Sequence, residues 1–326
     1  MAICLLSLLL NEVSGQTPNF RLPLVNTHAL NPSLIGFGHF DNYQAARFQT
    51  SLKAQWVGIN KRLATSSLSY DMSNKGNSSW GVNVTTTDFM SNRQGQKTEY
   101  NHLAAQLAYA YLINGKKVNW KFGLALQGSN YQFGNTNFIW GDQINSDFTA
   151  FTNPTQEPLE NQNVNSIQAS VGLLAFGEKW FVGVSLHNIN EPNIAFFSNS
   201  TQPLYRRINI HAGLKIKKDF SNTSFTPTLS YSNQYQTQQY AFDAIFQNGN
   251  VYYGVGGFTS KLNENLAHSL HTFFTVRKNQ WGIGYDLDLN LTLNPSNPVL
   301  THEFNLIYLL KSKSNRKAVF ANLPIL

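Results

Sequence analysis

His302-Glu303, His268-Ser269 and the pair Asp286 and Asp288 are the residues of this 326-residue chain whose types and spacing could do chemistry. A His beside a Glu suggests acid–base work or a metal site, and a His beside a Ser suggests a nucleophile with its base. Neighbours in an extended strand point to opposite faces, so neither pair acts as a unit if its segment is a strand. Asp286 and Asp288 would share one face. Two carboxylates can bind Ca²⁺, but lumen-facing charge paired with Arg or Lys is the plainer account. Asp142, Asp147, Glu157 and Glu160 fall in a long loop and lack the spacing of an ion-binding motif. Gly254-Val255-Gly256-Gly257 is strand material, not a phosphate loop. Cys4 is the only cysteine, so Cys-based metal sites and disulfides are excluded from the rest of the chain. The expectation is a protein with no catalytic set, no cofactor and no metal, hence not an enzyme.

The elements that would position these residues alternate with period two. Trp281, Ile283, Tyr285, Leu287, Leu289, Leu291 and Leu293 are separated by Gly282, Gly284, Asp286, Asp288, Asn290 and Thr292. A helix would smear these polar residues around every side, whereas a strand gives one apolar and one polar face. Val118, Trp120, Phe122, Leu124 and Leu126 repeat the scheme, as do Leu103, Ala105, Leu107, Tyr109 and Tyr111. Counting such segments gives about fourteen strands. They begin near Asn42, Leu63, Ser78, Thr98, Lys117, Val164, Lys179, Tyr205, Thr223, Gln238, Asn250, Ala267, Gln280 and Thr301.

Composition agrees. Charged residues make up only 13% of the chain and aromatics another 13%. Mean hydropathy is -0.28, and past the N-terminus no apolar run approaches the roughly 20 residues of a membrane helix. The fold class expected is all-β: a transmembrane, antiparallel, up-and-down β-barrel of an outer membrane. A soluble β-sandwich could use the same strands. Trp56, Trp80, Trp120, Trp180, Trp281 and Tyr308 near strand ends favour interfacial girdles and therefore the barrel.

Connections alternate between short turns, such as Asn114-Gly115-Lys116 and Asn248-Gly249-Asn250, and mostly longer loops, such as Asn130 to Asn163. Outer-membrane barrels have short periplasmic turns and long external loops, which places both chain ends in the periplasm. The turn side collects Lys75, Lys116, Lys117, Lys179, Lys215, Lys217, Lys218, Arg277 and Lys278, and Lys313, Arg316 and Lys317 follow the last strand. This is either a solvated rim or a basic docking surface for a periplasmic partner. The net charge of +7 is scattered, and an exported protein meets no nucleic acid. Leu5 to Leu10 reads as the apolar region of a signal peptide, with Val13 and Gly15 preceding a cut before Gln16, although Met1-Ala2-Ile3 has no basic residue. The layout is then a signal peptide 1–15, a periplasmic segment 16–41, a barrel 42–311 and a basic tail 312–326.

Specific motifs lie along this layout. Gln16-Thr17-Pro18-Asn19-Phe20 leads into Asn31-Pro32-Ser33-Leu34-Ile35-Gly36. Gln55-Trp56-Val57-Gly58, Ser67-Leu68-Ser69-Tyr70, Leu204 to Gly213, Gly284 to Asp288 and Thr301 to Leu306 follow in order. Together they resemble the PorP/SprF family of type IX secretion system membrane proteins over essentially the whole mature chain. The resemblance implies a non-enzymatic outer-membrane barrel in type IX secretion or gliding motility. Its partners would be other components of that system, a secreted, adhesin-like protein substrate and outer-membrane lipid. Asn31, Pro32, Gly36, Gln55, Trp56, Gly58, His302 and Glu303 are the motif residues it marks for partner contact. Each also has a structural account: Asn31-Pro32 can fix the turn where the N-terminal segment enters the barrel. Gln55 to Gly58 can be an interfacial Trp with a tight turn, and His302-Glu303 can set the last strand's register. An outer-membrane solute channel or transporter is the functional alternative.

Overall fold

The computed structural model describes residues 27–36, 44–57, 61–73, 77–93, 96–135, 163–196, 200–217, 223–262, 265–292 and 299–311. Its strands are β1 (Gln44–Val57), β2 (Lys61–Ser73), β3 (Ser78–Arg93), β4 (Gln96–Ile113), β5 (Asn119–Asn135), β6 (Asn163–Phe176) and β7 (Trp180–His187). They continue with β8 (Arg207–Leu214), β9 (Ile216–Lys217), β10 (Thr223–Gln234), β11 (Thr237–Asn248), β12 (Val251–Leu262), β13 (Asn265–Lys278), β14 (Trp281–Asn290) and β15 (Val299–Lys311). β8 and β9 are one stave broken at Lys215, since both pair with β10. Each strand pairs antiparallel with its neighbours, and β15 pairs back onto β1 from Gln44↔Lys311 to Val57↔Leu300. The result is a closed antiparallel barrel of 14 staves. Each expected strand start falls within two residues of an observed one.

The alternation read from sequence is the alternation of the wall. Outward positions are apolar and bare: Leu107 is 66% exposed, Ile167 68% and Ile283 62%. Inward positions such as Gln168, Ser170, Asn209, Asp286 and Glu303 are buried. A soluble protein does not present so continuous an apolar exterior, whereas hydrocarbon accepts it without cost. Among the described residues no helix is long and apolar enough to cross a membrane, so crossing falls to the strands. Aromatics gather on the outer wall beside the short turns. Trp80 packs on Tyr109 with ring centroids 4.6 Å apart, Trp281 on Tyr308 at 4.5 Å and Phe48 on Tyr70 at 4.6 Å. Such rings settle at the level of lipid headgroups.

The signal region, the loop acids Asp142, Asp147, Glu157 and Glu160, the tail 312–326 and Gly58 lie outside the described residues. The described part of the N-terminal segment 16–41, Thr27–Gly36, packs inside the ring of strands.

Replacing Leu126 with Arg tests the lipid-facing assignment, because Leu126 pairs with Leu107 in the middle of the β4–β5 wall. The substitution is expected to cost about 2–4 kcal/mol, as for a cation at the midplane of a barrel wall. Urea-titrated folding into lipid vesicles measures it, and a change below about 0.5 kcal/mol would match an ordinary water-facing position instead.

Candidate functional site

The lumen phase of the strands carries small residues where the N-terminal segment lies. Gly81, Gly123, Gly172 and Gly183 sit on β3, β5, β6 and β7, and β4 adds the buried Ala108 and Ala110. A Cβ at Gly123 would overlap the backbone of Ser33, one at Gly172 would overlap Asn31 Oδ1, and one at Gly81 would overlap the His28 ring. These positions form a seat, and Thr27–Gly36 is the plug that fills it.

The plug is a helical turn, α1 (Thr27–Leu30), followed by a 3₁₀ turn, Pro32–Leu34. Asn31 separates them with extended dihedrals (φ -159°, ψ 122°), and its Oδ1 accepts from Ser33 N–H at 2.9 Å. That is N-capping, with Pro32 at the first helical position where a missing N–H costs nothing. The other half of the Asn31 amide reaches the wall. Its Nδ2 donates to the carbonyls of Leu173 (3.3 Å) on β6 and Val184 (3.2 Å) on β7. Gly36 ends the plug at φ +70°, a conformation that disfavours any side chain.

Charged residues hold the plug at both ends. Arg47 and Asp71 form a buried bidentate pair, with Nε to Oδ1 at 2.9 Å and Nη2 to Oδ2 at 3.0 Å. Arg47 Nη2 also donates to Thr27 Oγ1 at 3.1 Å, and Asp71 Oδ2 accepts from Gly36 N–H at 2.6 Å. Lys121 donates to the Ile35 carbonyl, and Ser73 Oγ donates to the Gly36 carbonyl. At the far side, Ser185 Oγ (2.7 Å), Asn209 Nδ2 (2.9 Å) and His187 Nε2 (3.2 Å) all meet the Leu30 carbonyl. Arg207 donates to the Ala29 carbonyl at 2.9 Å. A buried backbone needs its polar groups met, and the wall side chains meet them. Leu34 packs with Leu112, Leu174, Phe176 and Phe181, and Ile35 with Ala108, Ala110 and Ala125. Each of these two burials stabilises the seated plug by about 1.5–3 kcal/mol.

The sequence matches the profile described as "Type IX secretion system membrane protein PorP/SprF" over residues 13–308. This chain belongs to the PorP/SprF family. No curated protein matches it significantly. Solved structures share only the barrel with this PorP/SprF protein. The toluene transporter TodX of P. putida superposes with a TM-score of 0.54 at 8% identity, over 87% of this chain and 93% of TodX. The monoaromatic hydrocarbon channel CymD gives a TM-score of 0.54 at 12% identity, over 88% of this chain and 93% of its own. CdiB from Acinetobacter baumannii, with a TM-score of 0.47 at 7% identity, is matched over 82% of this chain but only 60% of CdiB.

Within the PorP/SprF chain, the fold unites some motif residues and separates others. Asn31, Pro32 and Gly36 are all in the plug. Gln55 and Trp56 are on β1, far along the chain from that anchor, with Gln55 half-buried. His302 and Glu303 point to opposite faces of β15. Glu303 is buried between Lys53 and Asp286 in the strand register, while the outward His302 is bonded through Nδ1 to the Tyr285 hydroxyl at 2.7 Å. His268 and Ser269 diverge in the same way, with Ser269 buried and His268 exposed. Asp286 and Asp288 do share the lumen face, but the partner of Asp286 is His271 rather than Arg or Lys, through Nδ1 at 2.7 Å. His271 Nε2 reaches Asp243 at 2.8 Å. Among the described residues no cluster could hold a metal ion. The glycine seat and the wall donors Lys121, Ser185, His187, Arg207 and Asn209 escaped the sequence reading. The glycines left a signal: they recur in the lumen phase of several strands.

Two tests follow from this site. Gly172→Val should eject the plug while leaving the β5–β6 ladder intact, since overpacking costs about 1–3 kcal/mol and here the obstruction is Asn31 itself. Limited proteolysis should then cut within Thr27–Gly36, whereas Gly128→Val, whose Cβ meets nothing within 4 Å, should stay resistant.

The second test uses His28, which is fully buried with neither ring nitrogen bonded among the described residues. Burial pushes its imidazole down from 6.5 to about 4, opposed by Asp71 and reinforced by Arg47. The seated plug therefore binds fewer protons than the released one. The contribution of His28 to seating is full above pH 6.5 and falls by about 3 kcal/mol in all as pH drops from 6.5 to 4. Openings in planar bilayers should become more frequent across that window, and His28→Phe should reduce the pH response.

Proposed function

We propose that this protein is a non-enzymatic, plugged barrel of the type IX secretion and gliding machinery. It aids the secretion or surface attachment of a large, adhesin-like substrate by docking rather than by conduction. The observation that carries this reading is the plug. The chain's own Thr27–Gly36 occupies the lumen between β1 and β8 and is held by buried charged and amide side chains. A barrel filled in this way works through its rims and outer wall.

The turn-side rim supplies a surface of fitting character. Lys116, Lys117, Lys179, Lys217 and Lys278 are exposed there, and Glu178 is the one acidic residue among the described turn residues. Short turns are typical of the periplasmic side of outer-membrane barrels, which supports a periplasmic rim whose complementary partner is an acidic face of another secretion component. Of the motif residues, Gln55 and Trp56 on β1 and His302 on β15 lie toward the loop ends of their strands and are candidates for contact with a partner on that side, whereas Glu303 is buried inside the wall. The rival reading, a solute channel, draws on the shared barrel of TodX and CymD. It requires a lumen that conducts with the plug seated.

Deleting the gene should abolish surface display of at least one type IX substrate, measured by labelling intact cells. Charge reversal of Lys116, Lys117 and Lys179 should reduce co-purification of other type IX components from detergent-solubilised outer membranes. Normal display of every substrate after deletion would sink the secretion role. A steady conductance of the wild-type protein at neutral pH would favour the channel.

A further inference from the structure

The outer wall of β8 to β13 is not uniformly convex. It holds an apolar depression of about 650 Å³, a size typical of ligand cavities. Strand registers order its surface into rows. The floor is Ala212, Leu229, Phe242, Gly257 and Leu270, each paired with the next across adjacent strands. One step toward the loops the row reads Ile210, Tyr231, Tyr240, Thr259 and His268. One step further lie Asn233, Gln238 and Lys261. The wall thus grades from hydrocarbon to hydroxyl and imidazole, then to amide and cation.

Gly257 is the reason for the depression. It is an outward position where its neighbours Phe242 and Leu270 carry large side chains, 48% and 53% exposed. A missing side chain between two tall ones leaves a slot running toward the loops. The tyrosines at its upper edge pack tilted at 42° with centroids 5.0 Å apart, Tyr240 donates to Gln238, and Thr259 bonds to His268. Lys261 is exposed above them and has no carboxylate partner among the described residues. An exposed cation above an apolar slot in a membrane wall is complementary to an anionic amphiphile.

We infer that this depression binds one phosphorylated, acylated glycolipid of the outer leaflet. An acyl chain lies in the slot over Gly257, and the phosphate and sugar meet Lys261, Gln238 and the Tyr231 hydroxyl. The loop side is the external leaflet by the turn and loop lengths, and a phosphorylated lipid headgroup is the anion that a Lys at a membrane surface attracts. A transmembrane segment of another protein would fill the floor equally well. It would leave the polar rows without a headgroup. The inference is independent of the secretion role.

The test is native mass spectrometry of the full-length protein in nanodiscs containing lipid A and phosphatidylglycerol in equal amounts. Wild type should retain lipid A in preference to phosphatidylglycerol. Gly257→Leu fills the slot, and the variant should fold, because a Cβ there meets only Leu270 Cδ2 at 3.7 Å. It should lower lipid A retention about tenfold, the equivalent of burying about two methylene groups. Lys261→Gln leaves the slot intact and should lower retention about fivefold, the upper range for one exposed ion pair. Leu124→Phe on the β5 wall should change nothing. Unchanged lipid A retention in both depression variants, or equal retention of phosphatidylglycerol by wild type, would overturn the inference. So would a co-purified polypeptide from native membranes that Gly257→Leu displaces while lipid A stays bound.

Discussion

A backbone amide in hydrocarbon has no water to turn to, so each N–H and C=O of a spanning strand must be met by another strand. In this protein that constraint is discharged at the seam between β1 and β15. Without it, the first and last strands would each present an unpaired edge to lipid. The seam is well knit: Asn305 Nδ2 donates to Ser51 Oγ and the Thr50 carbonyl across it, and Lys53 faces Glu303 in register. Once the ring is closed, the period of two does the remaining work. It sends Leu, Ile and Trp out to the membrane and Ser, Asn, Gln and the charged residues into a lumen narrow enough to bury them.

A lumen lined with polar side chains is itself a problem of satisfaction, because donors and acceptors there meet neither bulk water nor backbone. The plug is one half of the answer. Its carbonyls accept from Lys121, Ser185, Arg207 and Asn209, and its N–H at Gly36 donates to Asp71. Side-chain networks are the other half, as in Gln168, which meets Ser129, Ser166 and Tyr131. The pairing of Arg47 with Asp71 matters more than its count of bonds suggests. It joins the start of β1 to the end of β2 and touches both ends of the plug, so wall and plug share one ion pair.

Strand positions were legible because burial of alternate residues is written directly into residue type. The segment from Trp281 to Asn290 shows this residue by residue. The plug was not legible, since Thr27–Gly36 has no period and its burial is decided by walls made much later in the chain. Asn31-Pro32-Ser33 reads locally as a capped turn, and it is one; nothing local says that the turn lies inside a barrel. The partner of Asp286 was equally hidden, because His271 becomes its neighbour only through the register of β13 with β14. The opposed faces of His302 and Glu303 needed only strand geometry and were readable in advance.

The plug also has a history. Its anchor at Leu30 is bonded to Asn209 across 179 residues of chain, and the seam bond from Asn305 to Thr50 spans 255. Loop-closure entropy makes such pairings slow to form. The plug is the first described element from the N-terminus, and its seat is complete only when β8 has paired with β7. The sequence order therefore fixes a waiting time. For that interval the apolar residues Leu34 and Ile35 and the Asn31 amide have no partners, and a chaperone that holds extended apolar chain would find them available.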